Sequence, residues 1–182
     1  VNVHGDWNNR PLKTLDDALR LERHGRTALV DALVAAADFL PRAPRERQAI
    51  VLVSDGMDNA SSMSPQQVVD AARTVEIPIY VIALGGLARQ IQAKRGESPL
   101  DVLKTIAEQT GGRYYLVGGP DEADVAKTAA RQIRDDLRHQ YWLAFRPDSP
   151  PDGAFHPIGV SLPGSSYTVR SRQGYMRRPD QP

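Results

Sequence analysis

Oxygen is the donor atom that this sequence gathers. Ser54, Asp55, Asp58 and Ser61 come directly after the apolar run Ala49-Ile50-Val51-Leu52-Val53, and Thr27 and Asp31 stand one helical turn apart further upstream. Hydroxyls and carboxylates are hard ligands. They suit a divalent cation such as magnesium, which accepts one or two carboxylates and completes its octahedron with hydroxyls and water. Spacing along the chain does not bring Thr27 to Asp55; only a fold can do that. The Ser54-Asp55-Gly56 step also reads as an ordinary turn in which Asp or Ser caps the next segment of chain.

Other chemistries lack their residues. There is no cysteine, which excludes disulfides, zinc-thiolate sites and cysteine catalysis. His4, His24, His139 and His156 have none of the close pairwise spacing of helix-borne metal ligands, and no G-x-S-x-G elbow offers a serine nucleophile. Gly85-Gly86 and Gly118-Gly119 come after apolar runs, but neither continues into a phosphate-binding or dinucleotide-binding pattern. One catalytic alternative stays open. A strand ending in Asp55-Gly56, with Asp58 three residues on, is similar to the magnesium-dependent phosphatases and phosphotransferases that use an aspartyl nucleophile, although the Asp-x-Asp pair is missing. A second alternative is a structural assembly module whose oxygen cluster binds nothing. Lysine plus arginine number 23 against 22 acidic residues, so no overall field favours a nucleic-acid partner. No apolar run approaches the roughly 20 residues that span a bilayer.

The elements that must position these oxygens alternate between strand and helix. Ile50 to Val53 reads as a strand buried on both faces. Upstream, Leu15, Ala18, Leu19 and Leu21 suggest a short helix, and Ala28 to Leu40 a mostly buried one with Leu29, Leu33, Ala36 and Leu40 on one stripe. Ser64-Pro65-Gln66-Gln67 opens a helix with a cap residue, a proline at the first helical position and a glutamine three residues past the cap. Ile77 to Leu84 is a second buried strand, and 87–97 a loop. Ser98-Pro99-Leu100-Asp101 opens a helix that stops at Gly111-Gly112, and Arg113 to Val117 is the third strand. Asp121 caps a long helix with Val125, Ala129, Ile133 and Leu137 on its apolar face, and Gln140 to Phe145 reads as a fourth strand. Beyond the Pro-rich stretch 147–153, the alternating segments His156 to Leu162 and Tyr167 to Arg172 predict a β-hairpin. The pattern predicts an α/β fold with a mainly parallel sheet flanked by helices on both faces. It divides as an α/β domain over 1–146, a linker and hairpin over 147–176, and a tail over 177–182.

Gly25-Arg26-Thr27-Ala28-Leu29-Val30-Asp31-Ala32-Leu33 together with Ile50-Val51-Leu52-Val53-Ser54-Asp55-Gly56 resembles the second and third motifs of the von Willebrand factor type A (VWA) domain. The order of later pieces sharpens the resemblance: the strand at Ile77 to Leu84, Thr110-Gly111-Gly112-Arg113-Tyr114-Tyr115, the helix exit Ile133 to Tyr141, and Val169 to Tyr175. That combination is similar to bacterial VWA-related proteins and covers nearly the whole chain.

The resemblance implies a Rossmann-like fold and a non-catalytic protein-binding domain. Its metal-ion-dependent adhesion site would hold Mg2+ or Mn2+ at the top of the sheet, with a partner's acidic group completing the shell. Thr27 and Asp55 match the ligands of the second and third loops, Asp31 fits the family's Thr-x-x-x-Asp pattern as a supporting residue, and Ser54 and Asp58 are secondary candidates. The family's first motif, Asp-x-Ser-x-Ser, occurs nowhere in the 182 residues. The sequence therefore reads as a VWA domain that starts inside the fold, near the family's third strand, with a weak or absent metal in this chain. The missing segment of the precursor, or a second chain, would complete the sheet. Resemblance also implies export from a bacterial cell.

Overall fold

The computed structural model describes residues 20, 28–39, 47–55, 65–74, 76–85, 99–148, 151–164 and 166–177. The helix predicted at Leu15 to Leu21 and the loop 87–97 lie outside these residues. In chain order the elements are α1 (Leu29–Phe39), β1 (Ile50–Ser54), α2 (Pro65–Thr74), β2 (Ile79–Leu84), α3 (Pro99–Thr110), β3 (Tyr114–Val117), α4 (Glu122–Arg138), β4 (Phe155–Pro157) and β5 (Gly174–Met176).

β1, β2 and β3 form a parallel sheet in that spatial order. Ile50 pairs with Ile79 and Ser54 with Ala83, while Val81 pairs with Tyr114 and Leu84 with Val117, so the three carboxyl ends lie together. Alternation sends Ile79, Val81 and Ala83 to one face, where they pack with Leu29 and Leu33 of α1, Ala72 of α2, and Leu100, Leu103, Ile106 and Ala107 of α3. Apolar residues spaced three and four apart on α3 put a continuous stripe onto that core. α4 lies on the opposite face, over β3 and the near side of β2, with Ala129 and Ile133 buried. Helices on both faces are therefore as the alternation predicts.

α3 ends where its glycines predict. Gly111 has φ 80°, a left-handed conformation that closes the helix, and its N–H reaches the Glu108 carbonyl while the Gly112 N–H reaches Ala107. Gly112 is also the point of closest approach to β2, where a Cβ would lie 2.0 Å from the Ile79 carbonyl oxygen. Asp121 stands at the start of α4, but its side chain makes no capping bond; its carbonyl accepts the Asp124 and Val125 N–H groups.

Two expectations fail for a common reason, the lack of an opposing element, and the predicted C-terminal hairpin forms with shifted bounds. β1 is buried on one face only, with Val51 49% and Val53 56% exposed, because α4 does not extend over it. Gln140 to Phe145 forms no strand: among the described residues it has no pairing neighbour, with Tyr141 86% exposed, and a strand needs a neighbour to take its hydrogen bonds. The C-terminal antiparallel pair exists, with Phe155 opposite Met176 and Pro157 opposite Gly174 and the Ile158 N–H donating to the Gln173 carbonyl, so the base of the hairpin closes and the stretches 159–162 and 166–172 stay outside it.

The pair docks on the helices of the α/β body. Arg73 lies over the Phe155 ring at 4.6 Å, Gln109 Nε2 donates to Gln173 Oε1 at 2.8 Å, and the Gln173 N–H donates to the Gln109 carbonyl.

Candidate functional site at the carboxyl end of β1

β1 delivers Ser54 as its last residue and Asp55 as the first beyond it, both half-buried. The register puts them level with the ends of β2 and β3, where Gly85 and Gly118 begin the next connections. In open α/β sheets ligands bind in the crevice outside these carboxyl ends, so the fold places Asp55 where a carboxylate can meet one. Asp31 is exposed in the first turn of α1, where a negative charge suits the helix dipole. Thr27, Asp58 and Ser61 lie outside the described residues.

Among the described residues the donor set at this end does not satisfy a divalent cation. Among the described residues no group of three or more Asp, Glu or His side chains stands close enough to hold one, and the strand end supplies a single carboxylate beside the Ser54 hydroxyl. Magnesium and manganese need about six oxygens, so these two would be a minority of the shell.

Among the described residues the most connected charged group lies elsewhere and was not legible as a site in the sequence. Arg113, just before β3, donates in bidentate fashion to Asp136 of α4, Nε to Oδ2 at 2.7 Å and Nη2 to Oδ1 at 3.1 Å, and Arg170 reaches the same Oδ1. Burial would push the Asp136 carboxyl up, but the Arg113 hydrogen bonds and the Arg170 charge outweigh it and hold the group below the usual carboxylate range. Burial, with Asp136 adding to it, pushes the Tyr80 hydroxyl to about 12. Burial likewise raises Tyr115. The cluster carries no open nucleophile, and its geometry ties β3, α4 and the C-terminal segment together.

An apolar trough of about 480 Å³ opens beside β1 on the α4 face. Val51 and Ile82 form its floor, Ala130, Ile133 and Leu137 its wall, and Arg47, Arg134 and Arg138 its rim.

A family model of the von Willebrand factor type A domain matches residues 6–129, more than half of the chain. The chain belongs to the VWA domain family. The match covers β1, β2, β3 and the three helices packed on one face, and the parallel order of these strands agrees with it. Domains of this family are generally interaction or adhesion modules, commonly for protein partners. No curated protein matches the chain. Among the described residues no helix is long and apolar enough to cross a membrane.

Proposed function

We propose that this VWA domain is a non-catalytic protein-binding module whose contact surface is the outer edge of β1 and the crevice at its carboxyl end. The observation that carries the reading is the placement of Asp55: it ends a parallel strand that has a neighbour on one side only among the described residues. A parallel sheet is stable when covered and paired, so an open parallel edge calls for a further strand. That strand comes from a partner polypeptide.

Thr27 and Asp55 are then two corners of a divalent-cation site, with Asp31, Ser54 and Asp58 supporting it. The remaining oxygens come from the added strand and from an acidic group of the partner. This chain by itself holds Mg2+ or Mn2+ weakly, on the order of millimolar or worse, because one carboxylate cannot replace the hydration shell. Resemblance to exported bacterial VWA-related proteins supports a setting outside the cytoplasm.

Magnesium titration followed by amide NMR tests the cation site. Shifts confined to Ser54, Asp55 and their neighbours, saturating only at millimolar metal and lost in Asp55→Asn, are expected. No metal-dependent shift at Asp55 would overturn the cation assignment. Metal-dependent hydrolysis of p-nitrophenyl phosphate abolished by Asp55→Asn would overturn the non-catalytic reading in favour of a phosphatase.

A further inference from the structure

The run Tyr141-Trp142-Leu143-Ala144-Phe145 holds strand-forming side chains in the open. From Gln140 to Pro147 the chain has neither turn nor bend, and every residue from 141 to 146 is exposed, Leu143 by 75%. Among the described residues no backbone N–H or carbonyl of 141–147 is hydrogen-bonded. Such a run is one half of a ladder, and its free backbone groups are a template for another strand. It also leaves the molecule at a definite place. Arg138, at the end of α4, lines one trough with Arg47, which precedes β1, and Asp136 holds Arg113, which precedes β3. The run therefore starts at the amino end of the sheet, opposite the Asp55 crevice, and owes nothing to that site.

We infer that this run is a homodimer interface, in which two copies of the chain pair it antiparallel across a two-fold axis through Leu143. The side chains choose a second copy as the occupant. With the axis there, Leu143 stands opposite itself, Trp142 opposite Ala144 and Tyr141 opposite Phe145. An indole lies beside a methyl, two aromatic rings meet across the strands, and leucine packs on leucine. Alternation puts 141, 143 and 145 of both copies on one face, an unbroken apolar layer. That layer continues into each body through Phe145, whose ring meets Tyr175 edge-on with 5.4 Å between centroids. Beyond the apolar pairs Arg146 stands opposite the Gln140 amide, and the two-fold carries the Arg138 end of each copy toward the Asp148 end of the other, opposite charges at both ends. A surface that is complementary to itself in this way is what a two-fold interface requires.

Other arrangements lose these matches. Parallel pairing in register sets Arg146 beside Arg146 and Trp142 beside Trp142. An axis between two residues brings the Tyr141–Leu143–Phe145 face of one copy beside the Trp142–Ala144 face of the other. An axis on Ala144 opposes Trp142 to Arg146 and Tyr141 to Pro147, which has no N–H to give. An axis on Trp142 sets that indole against its own copy and Ala144 against Gln140.

Sedimentation of the full chain should show the mass rising from that of one chain toward two as concentration passes through about 10–500 µM, the range of a small interface. Leu143→Lys opposes two like charges at the axis and should leave the chain monomeric, with an unchanged circular dichroism spectrum because the side chain is exposed. The sequence has no cysteine, so an introduced one reports the register alone. Leu143→Cys should oxidise to a covalent dimer, because residues opposite each other have Cα atoms about 4.5–5.5 Å apart, within disulfide reach. Tyr141→Cys or Phe145→Cys by itself places the two thiols about 13 Å apart and should cross-link at least about tenfold less. Mixing those two variants should restore the cross-link, a gain that misfolding cannot imitate. A mass of one chain at every concentration would overturn the inference and give the edge to a strand of another protein. Amides of 141–145 protected from exchange in the dilute monomer would overturn it in favour of another segment of this chain. Equal cross-linking at 141, 143 and 145, or a dimer that survives Leu143→Lys, would overturn it as well.

Discussion

Thr110 tests whether the packing between α3 and β2 is understood. Its side chain is 5% exposed, and its Oγ1 accepts the backbone N–H of Ile79, the first residue of β2, at 3.0 Å while donating to the Ile106 carbonyl at 2.9 Å. The ladder explains why a side chain is needed there. Val81 donates its N–H to the Arg113 carbonyl, but β3 begins only at Tyr114, so two residues earlier in β2 the next inward-pointing N–H meets the end of α3 instead of a strand. Thr110→Val keeps the shape and puts a methyl where the hydroxyl was. Ile79 is fully buried, and its N–H would lose its partner, at a cost of about 2 kcal/mol. Thr110→Ser keeps both hydrogen bonds and loses one methyl, about 0.8 kcal/mol. For a chain of this size that corresponds to Tm losses of roughly 4–8 °C and 2–3 °C. Urea unfolding monitored by far-UV circular dichroism gives the two free energies, with unchanged m-values showing that the native and unfolded states are comparable. If Thr110→Ser were as damaging as Thr110→Val, the hydroxyl would not be what closes β2, and the reasoning would fail.

Asp136 governs acid stability. Its folded-state carboxyl lies below its unfolded value, so the pair with Arg113 and Arg170 contributes fully above about pH 5 and is lost as pH falls through the lowered value. Asp136→Asn should cost about 1–2 kcal/mol at pH 7 and flatten the loss of stability between about pH 5 and 2, read from urea midpoints across that range. Just beyond that same end of α3, Gly112→Ala would drive a Cβ into the Ile79 carbonyl, backbone against backbone with no flexible side chain to yield. Destabilisation of about 3 kcal/mol or more, seen as a fall in Tm or in soluble yield, is expected.

What the sequence disclosed is what local chemistry decides. Pro65 starts α2 and Gly111 ends α3 because a fixed φ and a left-handed residue act within one turn. Asp55 was legible as a candidate because a run of β-branched residues stops at it. Coverage is not local. Ile50 to Val53 has the composition of a doubly buried strand, and Val51 and Val53 are nonetheless half exposed because α4 lies across other strands. Tyr141 to Phe145 has strand-forming side chains, yet among the described residues no ladder reaches it. In the C-terminal pair the alternating residues mattered less than Gly174, where a Cβ would meet Phe155 at 2.3 Å and the His156 carbonyl at 2.4 Å; its bare backbone lets β4 and β5 approach at the base. The Arg113–Asp136–Arg170 cluster joins residues 23 and 34 positions apart, all of types found on any surface, and no spacing rule would pick them out.

The width of the apolar stripe on α4 carries the last step. Ala129 and Ile133 are the positions of α4 that the structure buries, against β3 and the adjoining side of β2. A helix needed only for that would carry polar residues at 130 and 137, one step round its circumference toward β1. It carries Ala130 and Leu137 instead, with the arginines confined to 134 and 138, whose aliphatic stems can lie along apolar surface while their charges stay in water. Exposed apolar side chains on a helix that is otherwise strongly charged cost solubility without stabilising these three strands. Their face is the one that Val51 and Val53 continue onto β1. Crevice and trough therefore belong to the same outer side of one strand, the crevice at its carboxyl end through Asp55 and the trough along its flank.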